Sequence, residues 1–204
     1  MFKDIEQEIG NFYDLPELEQ QALLNKIQSR GKKDIQGFKR YLSETGYGNN
    51  SDRSIFYEAI WTNPAGWEEF LFTELQNLVS AAENGNKDAI DELSSMVYLT
   101  KIETTDDSFY TKCLNLLTTK LQSLLPEVRV SCLEAILDIA EIGKKKLDNK
   151  QILALQNLLN DPVFKVKIFA YANLKESDLL PVDFKLSFFD KTRAQLMGMG
   201  ALVK

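Results

Sequence analysis

The chain has 204 residues, of which 44% are hydrophobic and 26% charged, a composition typical of globular proteins rather than disordered ones. It contains no histidine, which excludes Ser-His-Asp and Cys-His catalysis within the chain and removes the commonest metal ligand. Its net charge of −6 makes a basic partner more natural than an acidic one.

The amino terminus indicates a cytoplasmic protein. Residues 1–6 are charged and lack the basic, apolar and small-residue order of a signal peptide. No apolar run approaches the roughly 20 residues that cross a bilayer. Cys113 and Cys132 replace small apolar residues in helical patterns, so we expect buried free thiols, with no metal and no cofactor.

Helical periodicity predicts that the whole chain is all-α, and the first third already shows the pattern. Residues 14–17 read as a helix start, Gly31 as the end of that helix, and 34–44 as the next helix. A further helix is predicted to span residues 51–62. After the turn at 63–66, a helix to about residue 84 carries Trp67 on its apolar side. Trp61 and Trp67 flank this turn, and their spacing favours a core role over a binding role.

The second half continues in helices with clear start signals. We predict helices near 86–102 and 107–125, a helix that begins at Pro126 and ends at 142–143, and a capping-box start at 148–151. Asp161-Pro162 predicts the start of another helix. The last helix is expected from Asp183, and it contains Phe184, Leu186, Phe188 and Phe189.

One pattern occurs twice in this half. Residues 121–125 (LQSLL) precede 126–129 (PEVR), with Cys132 and Ala135 further on; residues 155–159 (LQNLL) precede Asp161-Pro162, 166–167 (VK) and Ala170. A self-similar unit of a few tens of residues is typical of stacked helical repeats. The pattern resembles the HEAT repeat, in which an Asp-Pro turn leads a helix marked Val-Arg, and a returning helix ends in leucines.

The resemblance implies a short right-handed α-solenoid of antiparallel helix pairs, in which the basic residue after valine often pairs across repeats. It covers 86–204 as three pairs: 86–102 with 107–125, 126–142 with 148–160, and 162–175 with 183–197. Residues 1–85 form a helical region continuous with it, in a single extended domain. HEAT-like proteins are usually non-catalytic and bind another macromolecule along a concave face lined by second helices.

Acidity is concentrated in the middle of the chain, where residues 61–125 carry 10 acidic and 4 basic groups, against a net +2 for 126–204. We therefore expect a non-catalytic protein-binding module for a basic protein, in the specific form of a cytosolic bacterial immunity protein that blocks a basic toxin. The candidate partner-binding residues are Glu68, Glu69, Asp88, Asp91, Glu92, Asp106, Asp107, Asn115, Thr119 and Gln122.

Two other functions remain open at this point. Some HEAT-like proteins resemble DNA alkyl-base glycosylases, and Trp61, Trp67 and Glu68 could imitate such a site. Phosphate contacts need clustered lysines and arginines, however, and residues 61–125 carry only four basic groups against ten acidic ones. The other alternative is an accessory scaffold subunit of an enzyme complex. The acids also have a structural explanation, because Asp106 and Asp107 suit a helix amino terminus and the rest suit solvated helix faces.

Overall fold

The structure, a computed structural model, describes residues 9, 11–45, 55, 59, 67–94, 107–141 and 144–203. This part of the chain is helical and contains no strand, which confirms the all-α prediction. Most of the expected helix at 51–62, residues 95–102 of the expected helix at 86–102, the turn at 63–66 and the residues Trp61 and Asp106 lie outside the described residues.

The described residues form nine α-helices, numbered here in chain order. They are α1 (Glu17–Lys33), α2 (Ile35–Thr45), α3 (Glu68–Glu83), α4 (Lys87–Ser94), α5 (Asp107–Lys120), α6 (Pro126–Glu141), α7 (Asn149–Asn157), α8 (Phe164–Glu176) and α9 (Phe188–Leu196). Short 3-10 turns occupy Phe12–Asp14, Leu158–Asn160 and Gly200–Val203. None of these helices is long and apolar enough to cross a membrane.

Helix α1 continues through Gly31, so the prediction that this glycine ends the helix is wrong. The glycine is where the helix meets an aromatic cluster: a Cβ there would lie 3.0 Å from the Trp67 ring and 3.3 Å from the Phe38 ring. Phe38 and Phe70 pack on Trp67 with ring centroids 5.3 and 5.6 Å away. A helix interior tolerates the roughly 1 kcal/mol propensity cost of glycine when close packing replaces it.

Short connections join helices that pack on each other. Residues 84–86 link α3 to α4, residues 121–125 link α5 to α6, and residues 158–163 link α7 to α8. In addition, α4 packs on α6 and α6 on α8, while α3 packs on α5 and α5 on α7. The resemblance groups α4 with α5 and α6 with α7, whereas among the described residues the closer partners are α3 with α4 and α5 with α6.

Helix α6 lies at the centre of these contacts. It packs against α4, α5 and α8, and nine of its 16 residues are buried. Its small and branched side chains, including Cys132, Ala135 and Ile136, permit close approach of neighbours on several sides. Only a narrow part of the helix surface is therefore left to meet solvent.

The buried face of α6 includes a charged residue, Arg129, which bonds to Asp161 just before α8. Arg129 Nη2 donates to Asp161 Oδ1 at 2.8 Å, and Nε lies 2.8 Å from Oδ2 as an ion pair without hydrogen-bond geometry. Nη1 donates to the carbonyl oxygen of Ser123 at 2.7 Å. The contact expected of a basic residue after valine is therefore present, and it joins α6 to the start of α8.

This contact also explains why α8 begins at Phe164, two residues later than Asp161-Pro162 predicts. Asp161 Oδ1 accepts both from Arg129 and from the backbone N–H of Val163 at 2.8 Å. Its carboxylate holds the turn before the helix rather than capping the helix itself. By contrast, the capping box of α7 forms as expected, with Asp148 and Gln151 bonded reciprocally.

The last helix is shorter than predicted. α9 begins at Phe188, where Ser187 Oγ accepts from the N–H of Asp190. Leu186 is buried, whereas Phe188 and Phe189 are 78% and 82% exposed. They lie in the first turn of α9, which is tied to α8 through Lys167 Nζ and Asp190 Oδ2 at 2.7 Å.

Candidate partner-binding surface

A groove of about 200 Å³ lies where α4, α6 and α8 meet. We call it the acidic groove. Its apolar walls come from Ile90, Pro126, Val130, Val166 and Phe169, and its polar groups from Asp91, Glu127, Ser131, Glu134 and Lys165. Three carboxylates from two helices thus surround an apolar floor that is open to solvent.

The groove continues along the outer stripe of α6, which consists of Glu127, Val130, Glu134, Asp138 and Glu141. Helical spacing puts these five residues on one side of α6, and none of them is buried. The only basic residue of α6, Arg129, is directed inward to Asp161. Among the described residues, no ion pair neutralises any of the four carboxylates of the stripe.

The carboxylates near the middle of the stripe are electrostatically unfavourable. Burial raises the pKa of Glu134 above its ordinary value and the charge of Asp138 raises it further, while Lys165 acts in the opposite direction. Burial also raises the pKa of Asp138, with a contribution from Glu141. Like charges three and four residues apart each cost a helix roughly 0.2–0.5 kcal/mol. A cation placed against this stripe would relieve both effects.

The structure brings only part of the predicted site to this surface. Asp91 lines the acidic groove, and Asp88 and Glu92 lie on the same helix, Asp88 exposed and Glu92 half-buried. Glu68 and Glu69 lie in the first turn of α3, which does not line the groove.

Asp107, another predicted partner-binding residue, has a partner within the chain. Its Oδ1 lies 2.6 Å from Lys145 Nζ, and that ammonium group also lies 4.5 Å from the centroid of the Tyr110 ring. Lys145 belongs to the lysine triplet 144–146, which follows α6. The contact ties the region after α6 to the start of α5.

Asn115, Thr119 and Gln122 also lie away from the groove, on α5 and the turn after it. All three are exposed. Asn115 Oδ1 accepts from Gln151 Nε2 of α7 at 3.5 Å, and Thr119 Oγ1 donates to the carbonyl oxygen of Leu116 at 2.6 Å. They form a neutral polar face that is distinct from the acidic groove.

Sequence reasoning missed the carboxylates of α6 and the residues Lys165 and Phe169 of α8. The charge of residues 126–204 sums to +2, which concealed four acids at the spacing 7, 4 and 3 on one side of a single helix. A count of charges by helix face, rather than by segment, would have found them. Assigning Lys165 and Phe169 to the same surface required knowing that α8 packs beside α6.

The two cysteines and Trp67 are core residues. Burial raises the pKa of both Cys113 and Cys132 to about 12, so each is a protonated, buried thiol at neutral pH, as predicted. Trp67 is only 1% exposed, which confirms its core role and removes it from any base-stacking site. In the part of the chain that the structure describes, no three His, Cys, Asp or Glu side chains are grouped to hold a metal ion.

No protein-family model matches this chain, and neither a curated protein nor a solved structure matches it.

Proposed function

We propose that this chain is a non-catalytic protein-binding module that binds a basic protein through the acidic groove and the outer stripe of α6. One observation carries the proposal: the most enclosed helix of the described residues presents four carboxylates and no cation on its solvent-facing side. Such an arrangement costs the fold free energy, so the charges are better explained by a partner than by packing.

The architecture we propose for the module is a short right-handed α-solenoid of HEAT type. Support comes from the twofold sequence pattern, from the packing of α4 on α6 and α6 on α8, and from the Arg129–Asp161 contact between successive units. Helices joined by short connections and packed on each other favour antiparallel pairs. In this arrangement the acidic groove lies on the row formed by α4, α6 and α8, rather than on the row of α5 and α7.

The specific role we propose is that of a cytoplasmic immunity protein, which binds a basic protein toxin and blocks it. Each exposed charge pair contributes roughly 0.2–1 kcal/mol, so four carboxylates together contribute about 1–4 kcal/mol. At 1.4 kcal/mol for each factor of ten, this changes the dissociation constant by roughly fivefold to a thousandfold. The charges therefore set affinity and association rate, and apolar contacts must supply the rest.

The test compares two variants with the same change in net charge. The first neutralises the stripe with Glu127→Gln, Glu134→Gln, Asp138→Asn and Glu141→Gln. The control neutralises four exposed acids elsewhere with Glu17→Gln, Glu19→Gln, Asp178→Asn and Asp183→Asn. Each is used as bait at native expression levels, and captured proteins are identified and quantified at two salt concentrations.

We expect the unmodified chain and the control to capture the same basic protein stoichiometrically, and the stripe variant to lose it. Capture should weaken as salt rises, because exposed charges are screened. In the immunity role, the captured protein is toxic alone and harmless when this chain is co-expressed. Capture of an acidic protein, or equal capture by both variants, contradicts the proposal, as does a salt-dependent shift of DNA by the unmodified chain.

A further inference from the structure

The acidic groove has the size of a side-chain site rather than of a small-molecule pocket. Its volume of about 200 Å³ is below the roughly 300–1,000 Å³ of typical ligand pockets. Its lining combines a hydrocarbon floor with carboxylates. Lysine and arginine side chains have the complementary form, since a long apolar stem ends in a charged group.

One cation already lies beside this groove. Lys165, an exposed residue of α8, places its Nζ 5.7 Å from the centroid of the Phe169 ring one helical turn further on. A cation within about 6 Å of an aromatic centroid is attracted by the ring face. Lys165 also acts electrostatically on Glu134 across the groove. It forms no ion pair with a described carboxylate, so its ammonium group can move away at low cost.

The groove also contains a polar group without a partner. Ser131 lines it and is only 4% exposed, and the described residues offer its hydroxyl no hydrogen bond. A hydroxyl in this position can accept a hydrogen bond from an ammonium or guanidinium N–H. Together with Glu134 on the next turn of the same helix, it supplies neutral and charged acceptors for one cationic group.

We propose that the acidic groove is a subsite for one lysine or arginine side chain of the basic partner, and that Lys165 occupies its place in the unbound protein. The incoming stem lies on Val130 and Phe169, and its charged end replaces Lys165 as the cation nearest Glu134. This inference rests on the proposed function, because it takes the ligand to be part of a basic protein. It adds that Lys165 competes with the ligand rather than holding the fold together.

The probes are four nine-residue peptides with neutral flanking residues and one central side chain: lysine, arginine, acetyl-lysine or glutamate. Each is titrated at low salt into isotope-labelled protein, and the methyl signals of Ile90, Val130 and Val166 report binding by NMR. The test variants are Glu134→Gln and Lys165→Met. The matched controls are Glu17→Gln and Lys112→Met, which remove exposed charges outside the groove.

We expect saturable shifts at these three residues with the lysine and arginine peptides and none with the other two. Which of the two cationic peptides binds more tightly assigns the natural side chain. Glu134→Gln should weaken binding by roughly threefold to tenfold, and Lys165→Met should strengthen it by a similar factor, as expected for half-exposed charge interactions. Neither control should change it. A merely structural role for Lys165 would not increase affinity when the residue is removed.

The inference is overturned if acetyl-lysine binds as well as lysine, if the shifts lie outside the groove, or if Lys165→Met leaves affinity unchanged. Its failure is distinguishable from failure of the proposed function. If Glu134→Gln and Lys165→Met both capture the basic protein with unaltered affinity, the subsite is wrong and the acidic surface stands. If no basic protein is captured but the lysine peptide binds as described, the subsite is supported and the proposed function is wrong.

Discussion

The inner and outer sides of helix α6 differ in how their charged side chains are neutralised. On the inner side, Arg129 is matched by Asp161 and by the carbonyl oxygen of Ser123, and the side chains of the ion pair are 9% and 6% exposed. On the outer side, Glu134 and Asp138 lie half-buried with two further acids on the same stripe and no ion pair among the described residues. Charges that serve the fold are neutralised within it, so the difference indicates that the outer charges serve something outside it.

The variant with the largest expected effect on stability is Arg129→Met, which leaves the Asp161 carboxylate buried without its cation. Loss of one partner of a buried pair typically costs about 3–5 kcal/mol, and we expect a loss of that size in urea unfolding. The control is Lys120→Met, which removes a more exposed ion pair, 2.6 Å long, with Glu83, and it should cost less than about 1 kcal/mol.

A second variant tests whether the loss of stability comes from the unpaired charge of Asp161. Replacing both residues, with Arg129→Met and Asp161→Leu, removes the unpaired charge and should recover most of the loss. About 1 kcal/mol should remain, because the N–H of Val163 loses its acceptor. If the single change costs no more than the Lys120 control, the inner charge is not held by its pair and the contrast with the outer stripe disappears.

Removing charge from the outer stripe should increase the free energy of unfolding rather than lower it, and by a smaller amount. Glu134→Gln combined with Asp138→Asn should raise the free energy of unfolding at pH 7, by roughly 0.2–1 kcal/mol after solvent screening. The native pKa values of both carboxyls are raised, by burial first and then by neighbouring acids, so their charged forms disfavour the folded state. This unfavourable contribution is present above the raised native pKa values.

The gain should therefore disappear as pH falls below the ordinary pKa values of 4.5 for Glu134 and 3.8 for Asp138, where both states are protonated. The groups that face Glu134 are Asp138 on its own helix, Lys165 of α8 and the groove carboxylates Asp91 and Glu127. Chemical denaturation at pH 7 and near pH 3.5 measures the difference. A variant less stable than the unmodified chain at pH 7 would show that these acids support the fold.

The smallest expected effect comes from Asp190, an acid with the reverse environment. Hydrogen bonds from Lys167, and then from Ser187, lower its pKa, so the charged form stabilises the native state. That contribution is present above the ordinary value of 3.8 and is lost as pH falls through the lower native value. Asp190→Asn should lose a few tenths of a kcal/mol at pH 7, because the pair is partly exposed. Equal stability of the two proteins at pH 7 would contradict this assignment.

Local signals in the sequence predicted more of the fold than of the surface. Pro126 and the Asp148 capping box mark helix starts because a cap depends on residues only a few positions away. Gly31 was misread because the ring that needs its missing side chain, Trp67, lies 36 residues further along the chain.

Of the residues that line the groove, the sequence predicted only Asp91 as part of the candidate surface. The remaining acids of the groove belong to α6, whose outer stripe is defined by which of its sides α4, α5 and α8 cover. That information is in the packing and not in the spacing of charges along the chain. The neutral face of Asn115, Thr119 and Gln122 was preferred because the HEAT resemblance places partners along second helices.

The enclosed position of α6 also has a kinetic consequence. Hydrogen exchange in native proteins is slowest where opening a segment requires neighbours on several sides to separate first. Helix α6 packs on α4, α5 and α8, whereas α9 packs chiefly at the end formed by α8 and the turn at 200–203. Amide protons of residues 132–139 should therefore outlast those of α9 in deuterated water, so that the helix carrying the acidic stripe remains folded while the carboxyl-terminal end opens and closes.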